Sequence, residues 1–225
     1  MAEINLLRSY PKARRNVAAR AATKDSNRAL ALKFGMEYYD GTREQGYGGY
    51  RYDGRWKPIA RDMIDHWKLG PGKRVIDIGC AKGFLMKDLM DACPGLEVWG
   101  LDISDYGLRH AMPECAGKLV RGNVRELPFP DGYFDAAVCI NAVHNLPRPD
   151  ALQAIREIER IAPGKGYIQI DAYRTELERE HFLNWMLTCL CFDTPDGWRD
   201  MFRWAGYTGD YYWTIIELDT RALIK

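Results

Sequence analysis

Between residues 74 and 172, short β-like runs alternate with helical patterns, and this alternation limits the fold more than any other feature. Apolar runs occupy 75–78, 98–101, 136–140 and 167–170. Helical periodicity fills the intervals at about 84–93, 106–112 and 151–161. This order predicts an α/β fold of βαβ units, a doubly wound parallel sheet with helices on both faces. Ligands of such sheets bind beyond the carboxyl ends of the strands, so the chemistry is expected just after each run.

Composition narrows the class. The chain has 225 residues and a formal charge of +1, with 47% apolar and 28% charged residues. These values exclude wholesale disorder and argue against a dedicated nucleic-acid binder. No run reaches the ~20 apolar residues that span a bilayer, and Met1-Ala2-Glu3-Ile4-Asn5 does not open a secretory signal. A soluble, cytoplasmic protein is expected. The six cysteines include no C-x-x-C pair and the four histidines no H-x-x-x-H spacing, so no metal site is expected.

The N-terminal part differs from the rest. Residues 1–28 hold seven Arg and Lys against two acidic residues, a net +5 that leaves the other 197 at −4. One reading is a solvated helical extension packed across the domain; the other is a contact arm for an anionic substrate or RNA. Pro11 is expected to end any helix begun at 4–7. From Tyr38 to Trp56, five Tyr, one Trp, five Gly and three Arg fall in 19 positions. So much glycine predicts a structured loop. Residues 1–56 are therefore read as an extension with a Tyr/Gly-rich lid loop, and 57–225 as one Rossmann-like domain. A helix is expected over 57–68.

The strand ends carry the chemical signal. The first run ends in Asp77-Ile78-Gly79-Cys80-Ala81-Lys82-Gly83. Glycines at 79 and 83 let the backbone turn tightly against a ligand, although the turn lacks G-x-G-x-x-G. Asp77 would repel a pyrophosphate but favour a ligand bearing ammonium and sulfonium charges. Asp102 lies 19 positions after Gly83, where a carboxylate would grip a ribose diol. The lesser alternative is a cap for the helix starting near Asp105.

Asp77-x-Gly79-x-Ala81-x-Gly83, the segments 100–104 and 122–129, and Phe134-Asp135 together resemble the class I S-adenosylmethionine-dependent methyltransferases, in particular small-molecule members of the ubiquinone/menaquinone type. The resemblance covers roughly residues 70–172 and implies a mostly parallel seven-stranded sheet with S-adenosylmethionine as cofactor. It implies that Gly79, Cys80, Ala81 and Gly83 hold the methionine moiety, assisted by Asp77. Asp102 would bind both ribose hydroxyls, Ile103 the adenine face, and Asn123 and Val124 the adenine edge, with Asn141 lining the pocket. Ala81 departs from the usual middle glycine, and Asn123 stands where many members have Asp.

Methyl transfer from a sulfonium needs an aligned acceptor, plus a base when that acceptor must lose a proton. His144 and Asp171, after the later strands, are the catalytic candidates. His144, Tyr173 and Arg174 are candidates for substrate binding; His144 reads equally as a structural histidine. In the lid loop, Tyr47, Tyr50, Tyr52 and Trp56 would close over the cofactor, with Arg51 or Arg55 gripping an anion. These arginines favour O-methylation of a small anionic molecule such as a phosphate ester or carboxylate. An aromatic cage for an amine, an RNA methyltransferase using the basic arm, a non-enzymatic binding module and a nicotinamide oxidoreductase are the rivals. No Asn-Pro-Pro-Tyr-type motif for flipped bases follows the strand at 136–140. The expected partner is therefore a small-molecule acceptor, with neither nucleic acid nor membrane. Toward the C-terminus, helices are expected over 176–191 and 196–204 and a closing strand over 211–218. Phe182, Trp185, Met186 and Leu190 have core spacing. Trp198, Phe202 and Trp204 are left open between core and acceptor pocket.

Overall fold

Alternation along each strand decides which helical layer its side chains meet. In β1 (Arg74–Ile78), Val75 turns toward one layer, and Ile76 and Ile78 toward the other. The computed structural model describes residues 1–11 and 15–216. It continues the sheet through β2 (Glu97–Asp102), β3 (Leu119–Arg121), β4 (Ala136–Ile140), β5 (Gly166–Ala172) and β6 (Asp210–Ile215). The strand order is β3-β2-β1-β4-β5-β6, and every pairing is parallel.

Three short helices, α1 (Val17–Ala22), α2 (Lys24–Ala31) and α3 (Met36–Asp40), precede the sheet. Helices α4 (Lys57–Trp67) and α5 (Phe84–Ala92) cover one face, where Ile59, Met63, Leu85 and Leu89 pack on Val75, Val98 and Val138. Beyond β2 comes α6 (Asp105–Arg109), capped by Ser104. The opposite face carries α7 (Arg148–Ile161) and α9 (Pro195–Ala205), whose Ile155, Ile158, Trp198 and Phe202 meet Ile76, Ile168 and Ile170. Helix α8 (Glu176–Trp185) lies against α1. The doubly wound α/β architecture is thus as expected. Each fully buried Ile or Leu in these layers contributes roughly 1.5–3 kcal/mol.

Some expectations are corrected. Six strands are described rather than seven, because β6 pairs directly with β5 through six residue pairs and leaves no strand between them. Residues 217 and 218 of the expected closing strand lie outside the described residues. The helix begun at 176 stops at Trp185, where Met186 turns extended. Beyond it the main chain bonds elsewhere: Leu190 and Cys191 donate to the His144 carbonyl, and Arg28 donates to the Leu187 and Cys189 carbonyls. Leu190 is consequently 44% exposed, whereas Phe182 and Trp185 are core as expected. Trp198 and Phe202 are core too, and Trp204 is 61% exposed. Residues 4–7 form no helix; Ile4 donates to the Tyr211 carbonyl at 2.9 Å, which ties the N-terminal segment to β6.

Two non-glycine residues at strand ends, Ala81 and Asn141, adopt the left-handed conformation, with φ of 52° and 56°. An alanine Cβ is strained there at a cost on the order of 1 kcal/mol. Ala81→Gly is therefore expected to raise stability by about 0.5–1 kcal/mol, or about 2–4 °C in Tm per kcal/mol, as read by thermal unfolding. An unchanged or lowered Tm would refute the strain. No helix among the described residues is long and apolar enough to cross a membrane.

Candidate active site

The turn after β1 is shaped by main-chain bonds to the next strand. Gly79 and Cys80 both donate to the Leu101 carbonyl, at 2.7 and 3.2 Å. Gly83 sits at φ 72°, and a Cβ there would lie 2.6 Å from Cys115 Sγ, so only glycine fits. Asp102, at the end of β2, holds the turn from outside: its Oδ2 accepts from Ala81 N at 2.7 Å and its Oδ1 from Ser104 N at 2.8 Å. Each oxygen keeps lone-pair capacity for a further donor.

Asp77 differs. It is buried at the cavity wall, and its carboxyl makes no hydrogen bond or ion pair among the described residues. Burial, reinforced by the Asp102 charge, pushes its carboxyl up to about 7. Burial also raises Asp102, against the lowering effect of its backbone hydrogen bonds.

Above this turn lies a cavity of about 1190 Å³ lined by Asp77, Gly79, Cys80 and Ala81. Asn141 and Asp171 supply the wall from the ends of β4 and β5. Tyr47, Tyr50, Arg55, Trp56 and Arg174 line it as well. The cavity does not include Asp102, Ile103, Asn123, Val124, His144, Tyr52 or Tyr173 in its lining. Ile103 is 48% exposed, Val124 is in the core, and Asn123 Oδ1 accepts from Arg125 N at 3.1 Å. Tyr52 turns onto α5, donating to Asp88 Oδ1 at 2.6 Å. Tyr173 lies at 6.3 Å from Phe182, ring to ring.

His144 is buried behind the wall. Its Nδ1 accepts from Asp171 N at 3.3 Å, and burial lowers its pKa to about 4, so the ring is neutral near pH 7. It holds the main chain of Asp171, whose own carboxyl faces the cavity and is raised to about 7 by burial. Burial likewise raises Tyr47 and Tyr50, and so keeps these phenols protonated. The Cys80 thiol is pushed up by burial too and stays protonated.

The lid loop is fixed by contacts that sequence reasoning missed. Lys82 Nζ donates to both Asp40 oxygens at 2.7 Å and to the Tyr50 carbonyl at 2.9 Å. Tyr106 donates to Asp40 as well, at 2.8 Å. Ser104 Oγ donates to the Phe34 carbonyl at 2.5 Å, which brings the residues before α3 over the Asp102 side of the turn. Gly46 is obligatory, since a Cβ would fall 2.1 Å from the Tyr38 carbonyl oxygen. Nothing local in the sequence marks Lys82 or Asp40.

The arginines are also redistributed. Arg55 pairs with Asp53 and Arg174 with Glu178. Arg51 lines the cavity with them, and so do four guanidinium groups not singled out from the sequence, those of Arg8, Arg15, Arg20 and Arg43. Their signal was the +5 balance of residues 1–28, to which Arg15 and Arg20 contribute. Among the described residues of the arm, Arg15 and Arg20 turn toward the cavity, Arg8 stays largely exposed at its rim and pairs with Asp62, and Lys24 and Arg28 bond carbonyls of residues 183–189. Among the described residues, no cluster of three or more His, Cys, Asp or Glu is arranged to hold a metal ion.

Comparison with known proteins bears on this geometry. Residues 76–170 match the family model described as "Methyltransferase domain". That match begins inside β1 and covers the glycine turn, Asp77, Asp102 and the end of β4, and it stops at Ile170 inside β5, one residue before Asp171. The segment is thus similar in sequence to a methyltransferase domain, and its sheet has the fold of that class. A demethylmenaquinone methyltransferase of Lysinibacillus sphaericus is 30% identical to the chain, over 52% of this chain and 51% of its own length. A fatty-acid O-methyltransferase of Mycolicibacterium smegmatis is 33% identical over 45% of this chain and 38% of its own. The chain spans about half the length, or less, of these curated relatives. The YcgJ protein of Bacillus subtilis shares the fold, with a TM-score of 0.53, 22% identity and coverage of 65% and 66% of the two chains. The matched segment thus contains the turn, Asp77 and Asp102, whereas the lid loop and the cavity-lining arginines lie outside it.

Proposed function

We propose that the protein transfers a methyl group from S-adenosylmethionine to oxygen on a small anionic acceptor in a biosynthetic pathway. The observation that carries this reading is Asp77, a buried carboxyl without a counter-ion at the wall of a cavity that also holds the glycine turn. A bare acid there fits a ligand with cationic groups, and S-adenosylmethionine brings both an ammonium and a sulfonium. The residues suit the donor: Gly79, Cys80 and Ala81 would hold its methionine end, Asp77 its ammonium, and Asp102 its ribose hydroxyls through its remaining lone pairs. The donor, when bound, supplies a methyl already activated on sulfur.

The chain's own residues supply the rest. Tyr47, Tyr50 and Trp56 would exclude water above the turn, with Tyr47 and Tyr50 packed 4.5 Å apart, ring to ring. Asp171 faces the cavity with a carboxyl titrating at about 7, suited to take a proton from an acceptor hydroxyl at its Oδ atoms. His144 would orient it through its main-chain N–H. The inward arginines support an anionic acceptor and disfavour the RNA reading, which requires the arm to face outward.

Calorimetric titration of the full chain tests the donor. S-adenosylmethionine and its demethylated product are expected to bind with micromolar Kd, and NADH not to bind. NADH binding alone would overturn the assignment. Release of labelled methyl to phosphorylated or carboxylated hydroxy-compounds, with none to RNA, is the expected result of acceptor screening.

A further inference from the structure

Arg15, Arg20 and Arg43 converge on one aromatic ring. Their guanidinium carbons lie 5.9, 3.8 and 5.3 Å from the centroid of the Trp185 indole, at the end of α8. None has a carboxylate within ion-pairing distance among the described residues, although Arg8, Arg55 and Arg174 on the same cavity each have one. Arg20 is buried, donates to the main-chain carbonyls of Arg43, Gly46 and Trp185, and has a buried Nε with no partner among the described residues. Arg43 donates to the Gly46 and Tyr47 carbonyls.

The cluster is electrostatically unbalanced. Burial, with the Arg43 charge beside it, lowers Arg20 to about 10, and burial together with Arg15 lowers Arg43. The indole face attracts cations and gathers them, but it carries no net charge to neutralise three of them. Glu44 and Asp171 lie within electrostatic reach of the three but ion-pair with none of them. Like charges held together without a paired acid form a site for a multiply charged anion, whose phosphate oxygens guanidinium forks match.

We infer that Arg15, Arg20 and Arg43, gathered on Trp185, seat a phosphomonoester dianion of the acceptor, and that this phosphate is an anchor rather than the methylated group. Three guanidinium donors withdraw charge from the oxygens they bind and leave them poor nucleophiles. The methyl-accepting hydroxyl is then a second group on the same molecule, presented across the cavity to Asp171. This inference rests on the methyltransferase reading only for that second group; the phosphate seat stands or falls separately.

The test is calorimetric titration of the full chain with inorganic phosphate, with glycerol phosphate, with acetate and with S-adenosylmethionine in separate runs. Arg15→Ala is the principal variant, because Arg15 makes no hydrogen bond among the described residues and its loss leaves the main-chain contacts intact. Arg15→Lys, which keeps the charge without the fork, is the second. Phosphate and glycerol phosphate are expected to bind wild type, to bind Arg15→Ala about tenfold or more weakly, and to recover in part in Arg15→Lys. S-adenosylmethionine is expected to bind all three proteins within about twofold. Glycerol phosphate binding more tightly than inorganic phosphate identifies an ester as the ligand.

Absence of phosphate binding to wild type, with or without S-adenosylmethionine, would overturn the seat. Acetate binding as tightly as phosphate would overturn the dianion. A loss of S-adenosylmethionine affinity in Arg15→Ala, with phosphate unaffected, would assign the cluster to the donor's carboxylate instead. Phosphate binding without S-adenosylmethionine binding would leave the seat standing while the methyltransferase reading fails.

Discussion

Asp102→Ala is expected to weaken S-adenosylmethionine binding by about 100-fold, the loss of two hydrogen bonds to a charged acceptor at roughly 1.5 kcal/mol each. The carboxylate already accepts from Ala81 N and Ser104 N, so its removal also frees the turn that shapes the methionine end. These two effects are separable. A variant that loses only the turn should show a lowered Tm without the donor and a moderate loss of affinity. One that loses the ribose contact should bind adenosine as poorly as it binds the full donor. Donor affinity within about twofold of wild type would remove Asp102 from the site.

Asp77→Asn is expected to act in opposite directions on stability and on binding. The carboxyl titrates at about 7 in the folded protein, against an ordinary value of 3.8. Between those values the folded chain holds a proton that the unfolded chain has released. Stability associated with this group is therefore fully present below pH ~4 and is lost as pH rises through ~7. The displacement sets a ceiling near ~4 kcal/mol, and hydration from the cavity reduces it. At pH 8 the asparagine variant should exceed wild type by about 1–3 kcal/mol in chemical denaturation, with the difference closing toward pH 4. Asp171, raised for the same reason, and His144, lowered by burial, contribute equally to both proteins and cancel in the comparison. Donor affinity should fall at least tenfold, because the amide offers the ammonium no charge. A variant less stable than wild type at pH 8 would refute the account of a destabilising acid kept for binding.

These two acids were legible in the sequence because their neighbourhood is local. Asp77 precedes a turn whose glycines fix its shape, and Asp102 ends the adjacent strand, so a short stretch of chain contains the whole argument. The strands at 75–78 and 136–140 were legible for the same reason, as runs of buried apolar residues. β3 was not singled out as a run, since three residues, Leu119–Arg121, carry no periodicity. The end of α8 was misread because Phe182, Trp185 and Met186 keep helical spacing. What ends the helix lies far away in sequence, in the carbonyl of His144 and the guanidinium of Arg28.

The acceptor side was legible only as a charge imbalance. Arg55 and Arg174 stood next to aromatic residues and drew attention, yet each is paired by an acid two or four positions along the chain. Arg15, Arg20 and Arg43 meet only because α1 packs on α8 and places Trp185 among them. No window of sequence shows that meeting. Lys82 escaped notice likewise, as the variable position of a motif, although it ties the lid loop to the turn.

The tie between residues 2–4 and Tyr211 has a consequence for how the pocket comes into being. The central sheet, from β1 to β5, can assemble from a contiguous stretch of chain, but the cavity wall draws on the first residues and on β6 together. Pairing over such separations is slow and comes after local structure. A growing chain would therefore display its arginine arm and an open edge on β5 until β6 has been made. The enclosure forms only when β6 has arrived to receive residues 2–4, so folding of the sheet and creation of the pocket are separate events, the second waiting on the first.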